Sequence, residues 1–489
     1  MRPTVRFLND DLIQRIVGEA RTLLRELGIE IHNPTVVDLL AQHGARVGSD
    51  RQRVFLTDDL IDRSLASAPR CVRLYDVRGT LTHELTGDNV YFTPGSAAIN
   101  ILDSETGHIR PATTTDYVRY AKLVAGLPHL AAQSTALVPS DVPARISDSV
   151  RLYLSLLLCA KPVVTGAFTV EAFHVMHDLQ LAVRGSAAAL RDKPLTIFSC
   201  CPTAPLKWSD VTSQNVVDCA RAGIPVEFIA MPLAGFVAPV TLVGTLIQHT
   251  AETLSGIVIS QLAQPGAPIL YGGSPAIFDV RYETTPMGAI ETMMIDCAYN
   301  EIGKHFGLPT QAYIALSDGK QFDAQDGLES GIGAALAALA GINSVSGPGM
   351  LDFESCLSLE KLVLDNEIAG MARRLVVGIE PREDFPARPL FEELLKNQHL
   401  LIAKHTRRHL KTEHYQPGPV IDRANRARWL EEGGLSLHQR ARREVERLLA
   451  NYQPSPLPTD VRGDLHQRML AEARRHGLDR LPAAAEAAI

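Results

Sequence analysis

Short apolar runs recur along the chain from about residue 90 and alternate with longer amphipathic segments. The runs are continuously apolar, which is typical of parallel strands that are buried on both faces. The segments between them are long enough for helices, and this alternation predicts consecutive βαβ units. The eight predicted strands cover residues 90–93, 131–138, 162–168, 195–200, 225–230, 268–271, 311–316 and 342–346.

Eight such units predict an α/β fold, a closed (β/α)8 barrel of the TIM type, over residues 89–380. Helical periodicity with an N-cap signal at Thr57 predicts an N-terminal helical cap over residues 1–88. Residues 381–489 are highly charged with few apolar positions, and they predict a C-terminal helical extension. An open, doubly wound sheet is the alternative, but the dinucleotide fingerprint that would favour it is missing.

The composition is that of a large folded protein. Hydrophobic residues make up 46% of the 489 residues, charged residues make up 21%, and the formal net charge is −7. This apolar content allows a large core, and the acidic balance argues against nucleic acid as a partner. The uncharged stretch 229–247 is interrupted by Pro232, Gly235 and Pro239, so it predicts a strand, a turn and a helix rather than a membrane span.

The cysteines and the N-terminus indicate the compartment. The seven cysteines are scattered without a Cys-x-x-Cys motif, which is typical of a reduced, intracellular protein. The first ten residues are not followed by the apolar stretch of a secretory signal. We therefore expect a cytoplasmic protein.

Five of the loops that follow predicted strands combine glycines with aromatic or polar residues. They cover residues 91–96, 231–236, 271–275, 317–323 and 346–352. Glycine lets the backbone approach a ligand closely, and an aromatic ring can face a cation. Because barrel enzymes place their chemistry on these loops, the sequence predicts one shared pocket at this rim.

Motifs of common catalytic machinery are absent or weak. The chain has no His-Glu-x-x-His, no Gly-x-Ser-x-Gly and no P-loop. His405 and His409 share a helix face, but their neighbours are cationic, so we expect no metal site. Lys161 and Lys193 stand at the starts of strands, which is the wrong end for catalysis. Lys320 stands at the correct end, so a Schiff-base lyase or aldolase remains an alternative.

Four stretches follow one another between about residues 100 and 430 and begin at Leu102, Pro239, Ser317 and His399. Together they resemble the trimethylamine methyltransferase family. The resemblance implies a TIM barrel that moves a methyl group from a methylated amine to the cobalt of a separate small corrinoid protein. Residues that carry the resemblance include Leu102, Asp103, Arg110, Pro111 and Asp116, then Pro239, Val240, Thr241, Leu242, Gly244, Tyr271, Gly272 and Gly273, then Ser317, Asp318, Lys320, Asp323, Gln325 and Glu329, and finally His399, Leu400, Leu401, Glu413, His414, Tyr415 and Trp429.

The chain differs from the archaeal trimethylamine enzymes of this family, which carry pyrrolysine in the barrel. Only standard amino acids occur here, so the resemblance points to the pyrrolysine-free branch that includes glycine betaine methyltransferases and enzymes for other quaternary amines. A quaternary ammonium leaves as a neutral amine when cobalt(I) attacks its methyl group. The protein therefore needs only to orient the C–N bond and exclude water.

We do not expect this chain to hold the corrinoid (cobalamin) tightly. The Asp-x-His-x-x-Gly signature of cobalamin domains is approached only at Asp464 and His466, where Met469 replaces the required glycine. We expect the corrinoid to arrive on a partner protein that docks at the barrel mouth. We also expect a homo-oligomer.

The family resemblance and the residue content of the five loops together predict which residues form the site. We expect the catalytic residues to be Asp318, Lys320 and Asp323. The substrate-binding residues are expected to be Tyr91, Phe92, Phe236, Tyr271, Gly272, Gly273, Tyr313, Phe322, Gly349, Asp352 and Phe353. Aromatic rings would face the ammonium, and the carboxylates of Asp318, Asp323, Asp352 and Glu354 would attract it. Backbone N–H groups of 272–273 or 347–349, or Lys320, would hold the carboxylate of a betaine.

Two further alternatives remain open beside the lysine-dependent lyase. One is a methyltransferase for a tertiary amine, trimethylamine. The other is a quaternary-amine binding protein without catalysis.

Overall fold

The computed structural model describes residues 2–487, and its centre is a closed barrel of eight parallel strands. Hydrogen-bonded pairing runs without a break from β2 to β6 and from β7 through β8 to β1. Single parallel bridges, Phe92 to Leu130 and Tyr271 to Thr310, close the two remaining seams. The eight predicted strands are thus confirmed. They are β1 (Tyr91–Thr93), β2 (Gln133–Ser134), β3 (Val163–Thr165), β4 (Thr196–Cys200), β5 (Val226–Ala230), β6 (Ile269–Gly273), β7 (Gln311–Ala312) and β8 (Ser344–Ser346).

A helix follows each strand and packs on the outside of the barrel. Local signals set the helix ends. Thr113 and Asp116 form a capping box at the start of α1, and Gly223 and Gly341 end α4 and α7 in the left-handed conformation. The helices are α1 (Thr114–Ala125), α2 (Ala144–Leu158), α3 (Val170–Arg184), α4 (Asp210–Ala222), α5 (Leu242–Ala263), α6 (Ile290–His305), α7 (Ala324–Ala340) and α8 (Leu359–Val377), with a short helix Ala187–Asp192 after α3.

The N-terminal segment contains strands as well as the expected helices. Its helices are Asp10–Thr22, Leu23–Leu27, Pro34–Gln42 and Asp58–Ser67. Its strands are Ile29–Ile31, Arg46–Val47 and Arg53–Phe55, which form a sheet with Lys207–Trp208, and the hairpin Val72–Tyr75 with Leu81–Leu85. These strands span only two to five residues, which is too short for a period-two pattern to stand out.

The hairpin closes the N-terminal end of the barrel. Its Val72, Leu74 and Leu85 pack against Val164, Ile197 and Leu270, which point inward from β3, β4 and β6, and each of the six is at most 2% exposed. We call these six residues the floor. Burial of each such side chain contributes about 1.5–3 kcal/mol. The barrel interior therefore opens only at the C-terminal ends of the strands.

Short strands in the loops cover part of that open end. One small sheet combines Asn100–Leu102, Ile109–Pro111, Met350–Leu351 and Cys356–Leu357, and a second pairs Leu233–Ala234 with Ala276–Ile277. The loops after β1 and β8 are thereby tied together, as are the loops after β5 and β6.

The C-terminal extension consists of helices Arg388–Asn397, Lys404–Glu413, Arg426–Glu431, Leu437–Ala450, Thr459–Arg475 and Ala483–Glu486. Helix Leu437–Ala450 packs on α8 and α1, and Thr459–Arg475 packs on α2 and α3. The boundaries 1–88, 89–380 and 381–489 stay predictions, and Met1, Ala488 and Ile489 lie outside the described residues. Across residues 2–487, no helix is both long and apolar enough to cross a membrane.

Candidate active site

A polar layer lies directly above the floor inside the barrel. Side chains two positions apart on a strand share a face, so Ser199 on β4 points inward like Ile197 of the floor. Glu227 on β5 lies in register with Ser199 and with Leu270 of the floor, so it also points inward. Ser199 Oγ donates a hydrogen bond of 2.7 Å to Glu227 Oε1. The barrel interior therefore contains a carboxyl group at mid-height.

Glu227 is a carboxyl whose ionised form has no balancing positive charge in the described part of the protein. Its side chain is fully buried, and its Oε2 has no hydrogen-bond partner among residues 2–487. Burial disfavours the charged form and raises the pKa of Glu227 to about 7, and the hydrogen bond from Ser199 only partly offsets this effect. An unpaired carboxyl in this position is a candidate partner for a cation.

Tyr313 and Gln311 line the polar layer on the side opposite Ser199 and Glu227. Gln311 on β7 lies in register with Ser344 and, through it, with Tyr91, whose ring packs against the floor. Gln311 Oε1 accepts a 3.1 Å hydrogen bond from Gly273 N, and its Nε2 has no partner among residues 2–487. Tyr313 lies two positions further along, and its hydroxyl is 2.7 Å from Ser96 Oγ. Burial, and then the nearby charges of Glu354 and Glu227, raise the pKa of Tyr313.

Glu354 enters the same site from the loop that follows β8. Its Oε1 accepts a hydrogen bond of 3.3 Å from the backbone N–H of Ser96. The side chain keeps some accessible surface although protein atoms surround it, as expected of a group that lines a concave site. Burial raises the pKa of Glu354 to about 8, and the negative charge of Glu227 adds to that rise.

The backbone that presents Glu354 is strained. Asp352, Phe353 and Glu354 have φ values of 50°, 54° and 67°, a run of left-handed residues without a glycine. Such conformations cost about 1–3 kcal/mol each and persist only where surrounding contacts impose them. The strain supports a functional role for this turn.

A buried ion cluster holds the turn from below. Asp365 Oδ2 on α8 accepts a 2.6 Å hydrogen bond from Gly349 N, and it lies 2.8 Å from Lys361 Nζ. The same ammonium lies 2.6 Å from Asp326 Oδ1 on α7. The three charged side chains are at most 2% exposed, so the loop after β8 is fixed to two helices.

Three predicted substrate-binding aromatics do not lie at the mouth, and their placement is corrected here. Tyr91 packs against the floor at the closed end. Phe92 and Tyr271 point outward into the core between strands and helices, where the Tyr271 hydroxyl donates to Thr250 Oγ1 on α5. The reason is the alternation of side chains along a strand. A continuously apolar run does not reveal which residues face inward.

Four other predicted residues have structural explanations. Phe236 is 66% exposed and stacks on Phe278 at the outer rim, with 4.8 Å between the ring centroids. A side chain on Gly272 would collide with Gln311, one on Gly273 would collide with His249, and one on Gly349 would meet Leu362. Close packing therefore requires glycine at these three positions.

The predicted catalytic residues lie at the edge of the polar layer or outside it. Asp318 accepts hydrogen bonds from the backbone N–H groups of Met287 (2.9 Å) and Gly288 (2.8 Å), and burial raises its pKa to about 6. It ties the loop before α6 to the loop after β7. Asp323 is exposed and caps α7 by accepting from Gln325 N. The structure shows it as a helix cap, and its catalytic role stays a prediction.

Lys320 lies beside the strained turn. Its Nζ donates to the carbonyl oxygen of Asp318 (2.7 Å), lies 3.8 Å from the centre of the Phe353 ring, and is 3.6 Å from Asp352 Oδ1. Phe322 packs against Leu102, Leu351 and Cys356 of the small sheet over the open end, and its ring lies 5.7 Å from that of His438. Of the predicted residues, Tyr313 and Glu354 therefore line the polar layer, and Lys320, Asp352 and Phe353 border it.

The sequence-based prediction missed Glu227, Gln311, Ser199 and Cys201. A signal existed for Glu227, because it is the one charged residue in the apolar run 225–230. Cys201 follows Ser199 on the same face, and burial raises the pKa of its thiol to about 12, so the thiol stays protonated. Among residues 2–487, no cluster of His, Cys, Asp and Glu has an arrangement suited to a metal ion.

Comparisons with known proteins agree with this architecture. The model of the trimethylamine methyltransferase family matches residues 1–476. Trimethylamine methyltransferase MttB of Desulfitobacterium hafniense (strain DSM 10664 / DCB-2) is 28% identical over 472 residues, which cover 96% of this chain and 95% of that protein. Glycine betaine methyltransferase of Desulfitobacterium hafniense (strain Y51) is 30% identical over 461 residues, which cover 94% of this chain and 95% of that protein.

The fold of a solved structure is also similar. The monomethylamine methyltransferase of Methanosarcina barkeri superposes with a TM-score of 0.52 at 11% identity, and the alignment covers 96% of this chain and 88% of that one. This similarity supports the barrel fold. With the family match over nearly the whole chain, it leads to one conclusion: the chain belongs to the trimethylamine methyltransferase family and is a methyltransferase.

Proposed function

We propose that the protein transfers a methyl group from a quaternary amine to the cobalt(I) of a separate corrinoid protein. The observation that carries the proposal is the pair of carboxyl groups, Glu227 and Glu354, in the barrel mouth. Neither forms an ion pair with any lysine, arginine or histidine in residues 2–487. A quaternary ammonium between them would supply the missing positive charge.

The surroundings of the two carboxyls also suit a methylated ammonium. Tyr313 interacts with both carboxyls, and Phe353 precedes Glu354 in the strained turn; aromatic faces attract such cations by about 2 kcal/mol when water is excluded. Relatives of the chain include a glycine betaine methyltransferase and trimethylamine methyltransferases. A quaternary nitrogen fits a chain without pyrrolysine better, because the amine leaves neutral and needs no activation.

The residues of the barrel would orient and bind the substrate. Glu227 and Glu354 would hold the ammonium by its charge, and the hydroxyl of Tyr313, fixed by Ser96, would limit its rotation. The closed floor keeps water from reaching the site from below. The corrinoid supplies a cobalt(I) nucleophile that takes the methyl group, while the electrons of the broken C–N bond stay on nitrogen.

The outer rim provides a surface for the corrinoid protein. Loops after β1, β3, β5 and β6 expose large apolar side chains around the mouth, and such patches mark interaction sites. The residues are Ile99, Phe168, Met231, Phe236, Val240, Val280 and Tyr282, each between 41% and 74% exposed. We propose that the corrinoid protein docks on this apolar rim.

The first part of the C-terminal extension suits contact with a second copy of the chain. Helices Arg388–Asn397 and Lys404–Glu413 bury no residue. Large apolar side chains nevertheless remain exposed in this part of the chain, including Phe385, Leu395, Leu401 and Ile402. We propose that this segment forms the interface of a homo-oligomer.

A substrate panel tests the proposed reaction. The purified chain is mixed with chemically reduced cob(I)alamin and, in turn, trimethylamine or one of several quaternary amines, and formation of methylcobalamin is followed by absorbance. We expect transfer from at least one quaternary amine. Transfer from trimethylamine, with every quaternary amine inert, would contradict the proposal.

Matched variants connect the reaction to the two carboxyls. Glu227→Gln and Glu354→Gln should raise KM at least tenfold with a smaller change in kcat, because the charges bind the ground state of the substrate. Glu252→Gln is the control. Glu252 is a buried glutamate on α5 whose pKa burial also raises to about 7, but it lies outside the barrel and accepts from Leu206 N.

A further inference from the structure

The charges in the barrel mouth also bear on the second group of the substrate, beyond its ammonium. The side chains that meet there are acidic or neutral. Glu227 and Glu354 interact with each other, with Tyr313 and with Cys201. No lysine or arginine appears among the groups that influence these four side chains in the described part of the chain.

The donors that could hold a carboxylate are already occupied by the protein itself. Gly273 N donates to Gln311 Oε1 (3.1 Å), Gly347 N donates to the carbonyl of Thr93 (3.3 Å), and Gly349 N donates to Asp365 (2.6 Å). Lys320, which borders the polar layer, donates to the carbonyl of Asp318 and lies beside Asp352. A substrate carboxylate would therefore need to displace an existing partner to reach one of these three backbone N–H groups or the ammonium of Lys320.

The donors that remain free are neutral. Gln311 Nε2 and Ser346 Oγ are buried and have no hydrogen-bond partner among residues 2–487. Ser346 lies on β8 two positions beyond Ser344, which pairs with Gln311, so both side chains face the interior. The hydrogen bond from Gly273 fixes the orientation of the Gln311 amide and leaves its NH2 group available. Such donors suit a hydroxyl or carbonyl oxygen.

We infer that the preferred substrate is a methylated ammonium compound with a net positive charge whose remaining substituent is neutral, such as an alcohol, rather than a zwitterion with a carboxylate. This inference rests on the proposed function and narrows it. A carboxylate in this mouth would meet the two like charges of Glu227 and Glu354, while Lys320 at its border already donates to the carbonyl of Asp318 and lies 3.6 Å from Asp352. An alcohol would find an amide and a hydroxyl as partners.

The affinity for such a cation should rise with pH. Burial raises the pKa of Glu227 to about 7 and that of Glu354 to about 8, so both carboxyls are largely protonated below pH 7 and ionise above it. Cys201, directly after β4, and Tyr313, directly after β7, interact with them and remain neutral over this range, because their own pKa values are raised. Binding of the cation should therefore release protons near pH 7.5.

Calorimetry with three ligands of similar shape tests the inference. The full chain is titrated at pH 8.5 with choline, with glycine betaine, and with 3,3-dimethyl-1-butanol, which replaces the ammonium of choline by a neutral carbon. We expect choline to bind at least tenfold more tightly than either of the others. Glycine betaine binding as tightly as choline, or more tightly, would overturn the inference.

Variants and turnover separate this inference from the proposed function. Glu354→Gln should reduce the preference for choline over glycine betaine at least threefold, and Glu252→Gln should leave it unchanged, with circular dichroism confirming that both variants fold. An unchanged preference in Glu354→Gln would overturn the inference.

If methyl transfer to cob(I)alamin favours glycine betaine, the inference fails and the proposed function stands. If no quaternary amine binds or transfers its methyl group, the proposed function fails as well.

Discussion

Ionisation of the buried Glu227 carboxyl costs the fold free energy, and the same carboxyl is proposed to bind the substrate. Its folded-state pKa is about 7 against an ordinary value of 4.5, so the folded protein holds this proton more tightly than the unfolded chain. Stability from this group is therefore fully present at low pH and is lost as pH rises from about 4.5 to 7. Each unit of such a shift corresponds to about 1.4 kcal/mol.

The Glu227→Gln variant should gain stability relative to the parent chain as pH rises. Glutamine fills the same volume and has no charge to desolvate. We expect the difference in the free energy of unfolding to increase by about 1–3 kcal/mol between pH 5 and pH 8. Urea denaturation at the two pH values, followed by circular dichroism, measures it. A difference that does not depend on pH would contradict the ionisation of a buried Glu227.

The strained turn from Asp352 to Glu354 fixes the position of the Glu354 carboxyl. Its three left-handed residues are held by the Gly349–Asp365 hydrogen bond and by a hydrogen bond from Asp352 N to the carbonyl of Gly319 (2.9 Å). Glycine adopts this conformation without strain.

Phe353→Gly should therefore relax the turn while removing a ring from the mouth. We expect at least a tenfold rise in KM, because Glu354 is less well positioned and the ring no longer faces the cation, with little loss of thermal stability. Gln398→Gly is the control. Gln398 has a φ of 62° at the end of helix Arg388–Asn397, far along the chain from the mouth. A similar rise in KM for both variants would show that the effect does not depend on the place of Phe353 in the turn at the mouth.

The strands of the barrel could be predicted from the sequence because burial on both faces requires continuous apolar runs. Because such runs are apolar at every position, they do not show which side chains point into the barrel. Phe92 and Tyr271 were therefore predicted at the mouth although they point outward. Glu354 was found because it is a carboxylate in a loop after a strand. Gln311 was missed because its role depends on a hydrogen bond to Gly273, 38 residues away along the chain, and no local pattern encodes that contact.

At the scale of the whole molecule, two exposed apolar surfaces lie at different places. The rim surrounds the mouth, whereas the segment 381–430 belongs to the C-terminal extension. We have proposed a different partner for each, so substitutions in one should leave the function of the other intact.

Phe236→Glu should impair transfer to a corrinoid protein more than transfer to free cob(I)alamin. A charge in the centre of the apolar rim opposes docking of a protein but does not block a small molecule. We expect kcat/KM for the corrinoid protein to fall at least tenfold, with less than a threefold change for free cob(I)alamin. Equal losses with both acceptors would argue for damage to the mouth itself.

Leu401→Glu should lower the mass of the particle in solution. Leu401 is 77% exposed in the extension, and a charge there would be buried without a partner in an oligomer. Light scattering coupled to size-exclusion chromatography measures the mass. Leu81→Glu, in the hairpin below the floor and 44% exposed, is the control and should leave the mass unchanged. A monomeric parent chain would contradict the proposed interface.

The hairpin closes the N-terminal end of the barrel. This closure sets the order in which the substrates and products of the proposed reaction bind and leave. In the proposed reaction, amine, demethylated product and methyl acceptor would share one entrance, so we expect the amine to bind first and the acceptor to leave before the product. Acceptor present in excess should then inhibit by occupying that entrance on an empty enzyme, and higher concentrations of amine should relieve this inhibition. A barrel open at both ends would permit random order.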